Sequence, residues 1–228
     1  MWFMSNQSYL SVWCSDFSEE RMIQSFADFL ATVPFSAAKP GFSYLTIRAV
    51  DPAESPIFEQ DLRSVPLDPA GIIELIKDHL HADCTYEAHA HWDLWSFDAS
   101  GGAGWQNETQ PLELICFGEE YDGGAYNDNG HLQASLGFEH FFTGHARLLG
   151  IRQDRAAPAQ SLEEARFLEA MAWPENLEKY HDRTRENIRR LMDWVRNIEK
   201  AIPDGRVRLW SEGEENFEAR LEGILATP

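Results

Sequence analysis

The middle of this 228-residue chain lacks cationic side chains. Between Asp78 and Ala146 there is not one Lys or Arg, whereas 12 Asp and Glu occur, and the whole chain carries a formal net charge of -19. A negative field of this size repels the phosphate backbone of nucleic acids and anionic lipid headgroups. The charge therefore argues against nucleic acid and membrane surfaces as partners.

Long apolar runs and cysteines are also scarce. No stretch of 18 apolar residues occurs, and residues 1–7 show no basic stretch followed by an apolar run of signal-peptide length. The three cysteines lie far apart in apolar, strand-like stretches, which predicts buried thiols in a reducing compartment. They are Cys14, Cys84 and Cys116. We expect a soluble, cytoplasmic protein.

Several common catalytic motifs are absent from the sequence. There is no phosphate-binding Gly-x-x-x-x-Gly-Lys, no Gly-x-Gly-x-x-Gly, no Gly-x-Ser-x-Gly and no His-Glu-x-x-His. Their absence favours a non-catalytic protein but does not exclude an enzyme, because catalytic groups need only meet in space. A hydrophobic content of 43%, with 12% aromatic residues, is ample for a folded core.

Hydrophobic periodicity predicts strands and helices along the first two thirds of the chain. Ser18 and Asp68 are predicted N-caps, since short polar side chains precede apolar, helix-like stretches at both positions. The elements predicted are strand 8–17, helix 19–32, strand 42–50, a short strand 57–62, a helix from Pro69, and strands 84–97, 112–117 and 131–142. The first six match the order of a ferredoxin-like α+β fold, an antiparallel sheet with two helices on one face, here with extra strands.

Beyond residue 150 the pattern becomes helical, so we predict a core domain at 1–150 and a C-terminal helical extension at 151–228 that packs on it. Ser161 and Glu164 have the spacing of a capping box. A long amphipathic helix is predicted from Pro174 to Lys200, with its apolar seam interrupted by Thr184 and Asn187. This interruption favours docking on the core, in a monomer, over a dimerising coiled coil.

Two histidines and an aspartate alternate in the strand 84–97. His89, His91 and Asp93 share the face opposite the apolar one, which makes them candidate ligands of a divalent metal. Further donors are available at His131, Glu139, His140 and His145. The alternatives are solvated strand histidines or polar contacts on a binding surface. A metal-dependent hydrolase centred on this strand is the alternative function, and no other cofactor is expected.

Aromatic residues accompany the acidic middle of the chain, a combination typical of an interface for a basic protein. The candidate partner-binding residues are Trp95, Trp105, Glu119, Glu120, Tyr121 and Asp122. The leading hypothesis is an acidic binding protein of the inhibitor or immunity-protein type. A merely solubilising surface is one alternative, and a sugar site using Asp93 and Glu113 is another. A Ca²⁺ loop near residues 119–129 is a further alternative, although its spacing does not fit an EF-hand.

Overall fold

The computed structural model describes residues 6–51, 53–98, 104–145 and 161–226. The predicted domain boundary near residue 150 and most of the Gly-rich stretch 101–104 lie outside these residues. The strands are β1 (Gln7–Trp13), β2 (Tyr44–Arg48), β3 (Phe58–Asp61), β4 (Thr85–Asp98), β5 (Gly104–Phe117), β6 (Leu132–Phe138) and β7 (Arg206–Ser211). The helices are α1 (Glu19–Leu30), α2 (Pro69–Lys77), α3 (Tyr126–Asn129), α4 (His140–Thr143), α5 (Leu162–Met171), α6 (Pro174–Ala201) and α7 (Phe217–Ala226), with a 3₁₀ turn at Tyr121–Gly123.

All seven strands belong to one open antiparallel sheet, in the order β3-β2-β4-β5-β6-β1-β7. The predicted α+β class with an antiparallel sheet is therefore confirmed. The ferredoxin-like topology stays a prediction from element order. In the observed sheet, β1 lies between β6 and β7.

One face of the sheet is covered by helices and forms the core. Along β4 the alternate residues Tyr86, Ala88, Ala90, Trp92 and Leu94 are fully buried on this face, as the sequence pattern predicts. The helices α1, α2 and α6 contribute their apolar stripes to the same cluster. At its centre the rings of Trp92 and Trp194 meet edge to face at 5.8 Å.

The helix α6 spans 28 residues, a length of about 42 Å. It packs on β4, α1, α4 and α5. Of the predicted caps, Asp68 accepts a hydrogen bond from Gly71 N at 2.8 Å and Ser161 accepts one from Glu164 N at 3.0 Å. Ser18 is the N-cap of α1 but forms no side-chain cap bond.

The C-terminal section is not entirely helical, in contrast to the sequence prediction. Residues of β7 pair with β1 from Ser8 opposite Ser211 to Trp13 opposite Arg206, so this section completes one edge of the sheet. Among the described residues, no helix combines the length and apolar character needed to cross a lipid bilayer.

Candidate functional site

The second face of the sheet, here the open face, carries a continuous lateral row of polar and aromatic side chains. Residues directly opposite each other on antiparallel strands project from the same face, so the pairing register defines this row. It runs across the sheet through Asp61, Tyr44, His89, Glu113, Ser135, Tyr9 and Trp210. Unlike the core face, this row remains accessible at its centre, where the His89 side chain is 38% exposed.

Three potential metal ligands converge in the middle of this row. Glu87 and His89 are two residues apart on β4 and therefore project together, and Glu113 of β5 lies directly opposite His89. One ligand atom from each lies within 4.8 Å of the other two. The His89 Nε2 atom contacts a carboxylate oxygen of Glu87, and its ring lies against that of Tyr44 with centroids 4.9 Å apart. We call Glu87, His89 and Glu113 the strand triad.

Electrostatics in the strand triad favour the entry of positive charge. Burial raises the pKa of Glu113, and the neighbouring Glu87 carboxylate raises it further, while His89 acts in the opposite direction. Two carboxylates in one half-buried site repel each other, and a cation between them relieves this repulsion. The side chain of Glu87 is 24% exposed, which leaves the site open to ions from solvent.

Only His89 of the predicted metal ligands belongs to the strand triad. His91 follows on the same face, opposite Pro111, and burial followed by the charge of Lys39 lowers its pKa. The Asp93 carboxylate accepts hydrogen bonds from Ala37 N and Thr109 Oγ1, both at 3.2 Å. Burial opposes ionisation of Asp93, but hydrogen bonds from Ser36, Ala37 and Thr109 outweigh it and lower the pKa.

The further donors proposed from the sequence lie apart from the strand triad. His131 Nδ1 accepts the Cys14 N–H at 2.9 Å, and its ring stacks on Phe17. His145 Nε2 lies 3.2 Å from Glu164. Over the ranges that the structure describes, the strand triad is the one group of three or more His, Cys, Asp or Glu side chains with metal-binding spacing. The predicted Ca²⁺ loop forms no such group.

At the β7 end of the row, Tyr9 contacts one aromatic and one acidic side chain. The Tyr9 and Trp210 rings stack at 4.3 Å, and the Tyr9 hydroxyl donates to Glu212 at 3.0 Å. Burial, then the Glu212 hydrogen bond, raises the pKa of Tyr9 to about 12, so this hydroxyl remains protonated at neutral pH. Tyr9 is therefore a hydrogen-bond donor, not a base.

A second candidate site lies at one end of the sheet, where three loops meet. Two hydrogen bonds join them: Glu120 N donates to Ala82 O at 2.8 Å, and Glu19 N donates to the Glu119 side-chain carboxylate at 2.9 Å. Every carboxylate in these loops is exposed: Asp16, Glu19, Glu20, Asp78, Asp83, Glu119, Glu120, Asp122 and Asp128. We call this set the acidic end.

The loops of the acidic end contain no Lys or Arg in the segments 14–20, 78–84 and 118–130. Two nearby cations form ion pairs: Arg21 with Asp16, a member of the acidic end, at 2.9 Å, and Lys77 with Glu74. Arg206 lies over the Trp13 ring at 4.1 Å and borders the site on the β7 side. Tyr121 and Tyr126 are half-buried between the carboxylates and give the surface an aromatic component.

The predicted partner-binding residues fall into two groups that the structure does not bring together. Trp95 and Trp105 lie at the opposite end of the β4–β5 pair, and Trp105 is 12 residues along β5 from Phe117, roughly 40 Å. Trp95 is covered by Arg183 at 3.7 Å, and Trp105 packs on Phe97 and Tyr180. Only the group from Glu119 to Asp122 lies within the acidic end.

Sequence reasoning did not identify Glu87 or Glu113 as partners of His89. The position of Glu87 two residues before His89 is a local signal that was available. Glu113 has no such signal, because its position opposite His89 depends on the pairing register of two strands.

Comparison with known proteins adds no functional information. No protein-family profile matches this chain, and no curated protein or solved structure shows significant similarity to it.

Proposed function

We propose that this protein is a binding protein that engages a basic protein partner through its acidic end, in the manner of inhibitor or immunity proteins. The observation that carries the proposal is the convergence of three separate cation-free loops on one surface. Nine exposed carboxylates from distant parts of the sequence thereby act as one negative field.

Charge complementarity selects the class of partner. Such a field attracts a basic surface, accelerates its association and disfavours acidic competitors. The half-buried Tyr121 supplies an anchor of the type found at interface centres, where aromatic side chains contribute most of the binding energy. Hydrogen bonds between the loops hold them together, which reduces the ordering entropy lost on binding.

The alternative of a metal-dependent hydrolase at His89, His91 and Asp93 has weaker support. Both carboxylate oxygens of Asp93 already accept hydrogen bonds from the chain, and we propose no catalytic function. A cytoplasmic location and a monomeric state stay predictions from the sequence.

Two variants with the same change in net charge test the proposal. The first neutralises part of the acidic end without touching Glu119, which has a structural hydrogen bond: Asp78→Asn, Glu120→Gln, Asp122→Asn and Asp128→Asn. The matched control neutralises exposed carboxylates elsewhere: Glu54→Gln, Glu178→Gln, Glu199→Gln and Glu222→Gln.

Each immobilised protein is incubated with protein extract from its own source, and captured proteins are quantified by mass spectrometry at low and high salt. We expect a basic protein retained by the wild type and the control, reduced on the order of 10-fold or more by the acidic-end variant, and weakened by salt. Equal capture by both variants, salt-independent capture, or no captured protein would each overturn the proposal.

A further inference from the structure

We propose that the strand triad of Glu87, His89 and Glu113 is a Zn²⁺ site on the open face of the sheet. This inference is independent of the proposed function, because it uses a different face of the molecule. It also differs from the site predicted from the sequence at His89, His91 and Asp93, since only His89 is common to both.

The donor set has the composition of a zinc site. Zn²⁺ lies about 2.0–2.2 Å from imidazole nitrogens and carboxylate oxygens that bind it. In a tetrahedral site, two ligand atoms at this distance from the ion are therefore about 3.3 Å apart. The three donor atoms of the strand triad lie within 4.8 Å of one another, so side-chain rotations of modest size bring them to that spacing. The imidazole favours Zn²⁺ over the oxygen-selective ions Mg²⁺ and Ca²⁺.

The backbone places these donors on rigid elements. All three belong to β4 and β5, the central strands of the sheet, whose register is continuous from Thr85 opposite Phe117 to Asp98 opposite Gly104. Tyr44 contacts the His89 ring from β2 and limits its rotation. Two carboxylates and a neutral imidazole carry two negative charges, which a divalent cation neutralises.

The geometry also leaves coordination positions open to solvent. Three protein ligands with an accessible fourth position are the arrangement of zinc sites that keep an exchangeable water. The 38% exposure of the His89 side chain places the ion where a small ligand or a partner carboxylate can reach it.

The test uses the full chain without an affinity tag, treated with chelator and titrated with Zn²⁺ by calorimetry. We expect one Zn²⁺ per chain, with binding that weakens on acidification because the ligands must be deprotonated. His89→Gln and Glu113→Gln should each weaken binding by more than about 100-fold, since loss of an outer-shell partner alone costs roughly 10–100-fold. His91→Gln is the matched control on the same strand face and should retain binding.

Urea unfolding monitors whether each variant is folded, and Glu87→Gln replaces any variant that is not. Anomalous scattering at the zinc edge from crystals of the loaded protein locates the ion. Absence of stoichiometric binding, equal retention by the triad variants, a loss of binding in His91→Gln, or an ion located elsewhere would refute the site. Mg²⁺ or Ca²⁺ binding as tightly as Zn²⁺ would refute its assignment to zinc.

Discussion

Asn187 of α6 occupies the place of a neighbouring strand at Trp95 of β4. Its side-chain oxygen accepts the Trp95 N–H at 2.8 Å, and its amide nitrogen donates to the Trp95 carbonyl at 3.0 Å and to the Phe141 carbonyl at 3.0 Å. The pairing of β2 with β4 covers only Thr85 to His89, so among the described residues no strand pairs with this edge of β4 at Trp95. The helix therefore protects an otherwise unpaired sheet edge.

Replacement of Asn187 by Ala should lower the free energy of unfolding by about 2–4 kcal/mol, because each buried polar group left without a partner costs about 1–3 kcal/mol. Asn197→Ala, at an exposed position of the same helix, is the control and should change stability by less than about 0.5 kcal/mol. Urea denaturation followed by Trp fluorescence measures both. If both variants lose a similar amount of unfolding free energy, the hydrogen bonds between Asn187 and the β4 edge do not stabilise the fold specifically.

The α1 N-terminus is capped by a residue distant in sequence. The Glu119 carboxylate accepts the Glu19 N–H at 2.9 Å, whereas Ser18 forms no side-chain cap bond. Glu119→Ala should destabilise the protein by about 1 kcal/mol, and Ser18→Ala by less than about 0.5 kcal/mol. Glu119→Gln keeps a hydrogen-bond acceptor, so its loss of stability should lie between those of Glu119→Ala and Ser18→Ala. A larger loss for Ser18→Ala than for Glu119→Ala in chemical denaturation would contradict this assignment.

Protonation of His131 should oppose folding at mildly acidic pH. Burial lowers its pKa to about 4, although Glu119 acts in the opposite direction, and the neutral Nδ1 is needed to accept the Cys14 N–H. Between pH 4 and about 6.5, the usual pKa of a histidine in an unfolded chain, the imidazole of His131 binds a proton more readily in the unfolded chain than in the folded one. The contribution of the neutral His131 to the free energy of unfolding is therefore fully present above about pH 6.5, and it decreases on acidification towards pH 4.

The expected slope from His131 is up to about 1.4 kcal/mol per pH unit. His131→Asn keeps a hydrogen-bond acceptor for Cys14 N but does not titrate. This variant should therefore stay folded and show a smaller, but not zero, dependence of the unfolding free energy on pH between pH 4 and 6.5. His81→Asn, at an exposed loop position, controls for the substitution. An unchanged slope in His131→Asn would disprove the role of this imidazole.

The buried side of α6 shows which positions an apolar pattern in the sequence can and cannot explain. The stripe of Ile188, Leu191 and Ile198 predicted a helix that docks on the core, and these residues are fully buried. Thr184 and Asn187 interrupted that stripe in the sequence, yet both are buried. The polarity of Asn187 is explained by the strand edge at Trp95, a partner 92 residues away in the sequence.

The carboxy-terminal strand was missed for a different reason. The segment from Arg206 to Ser211 alternates between polar and apolar residues, with Gly205 before it, so a strand signal was present. The helical pattern of its neighbours nevertheless predicts a helical section over 151–228 as a whole. Its pairing with β1 lies beyond the reach of any local pattern.

The sequence alone determined the helices α1, α2 and α6, most strands, the buried face of β4 and the negative charge of the chain, because these follow from local periodicity and composition. Tertiary structure decided strand order, the meeting of three acidic loops, and the pairing of Glu113 with His89. Such features depend on backbone hydrogen bonds between distant segments, and the register of those bonds is set by packing of the whole sheet.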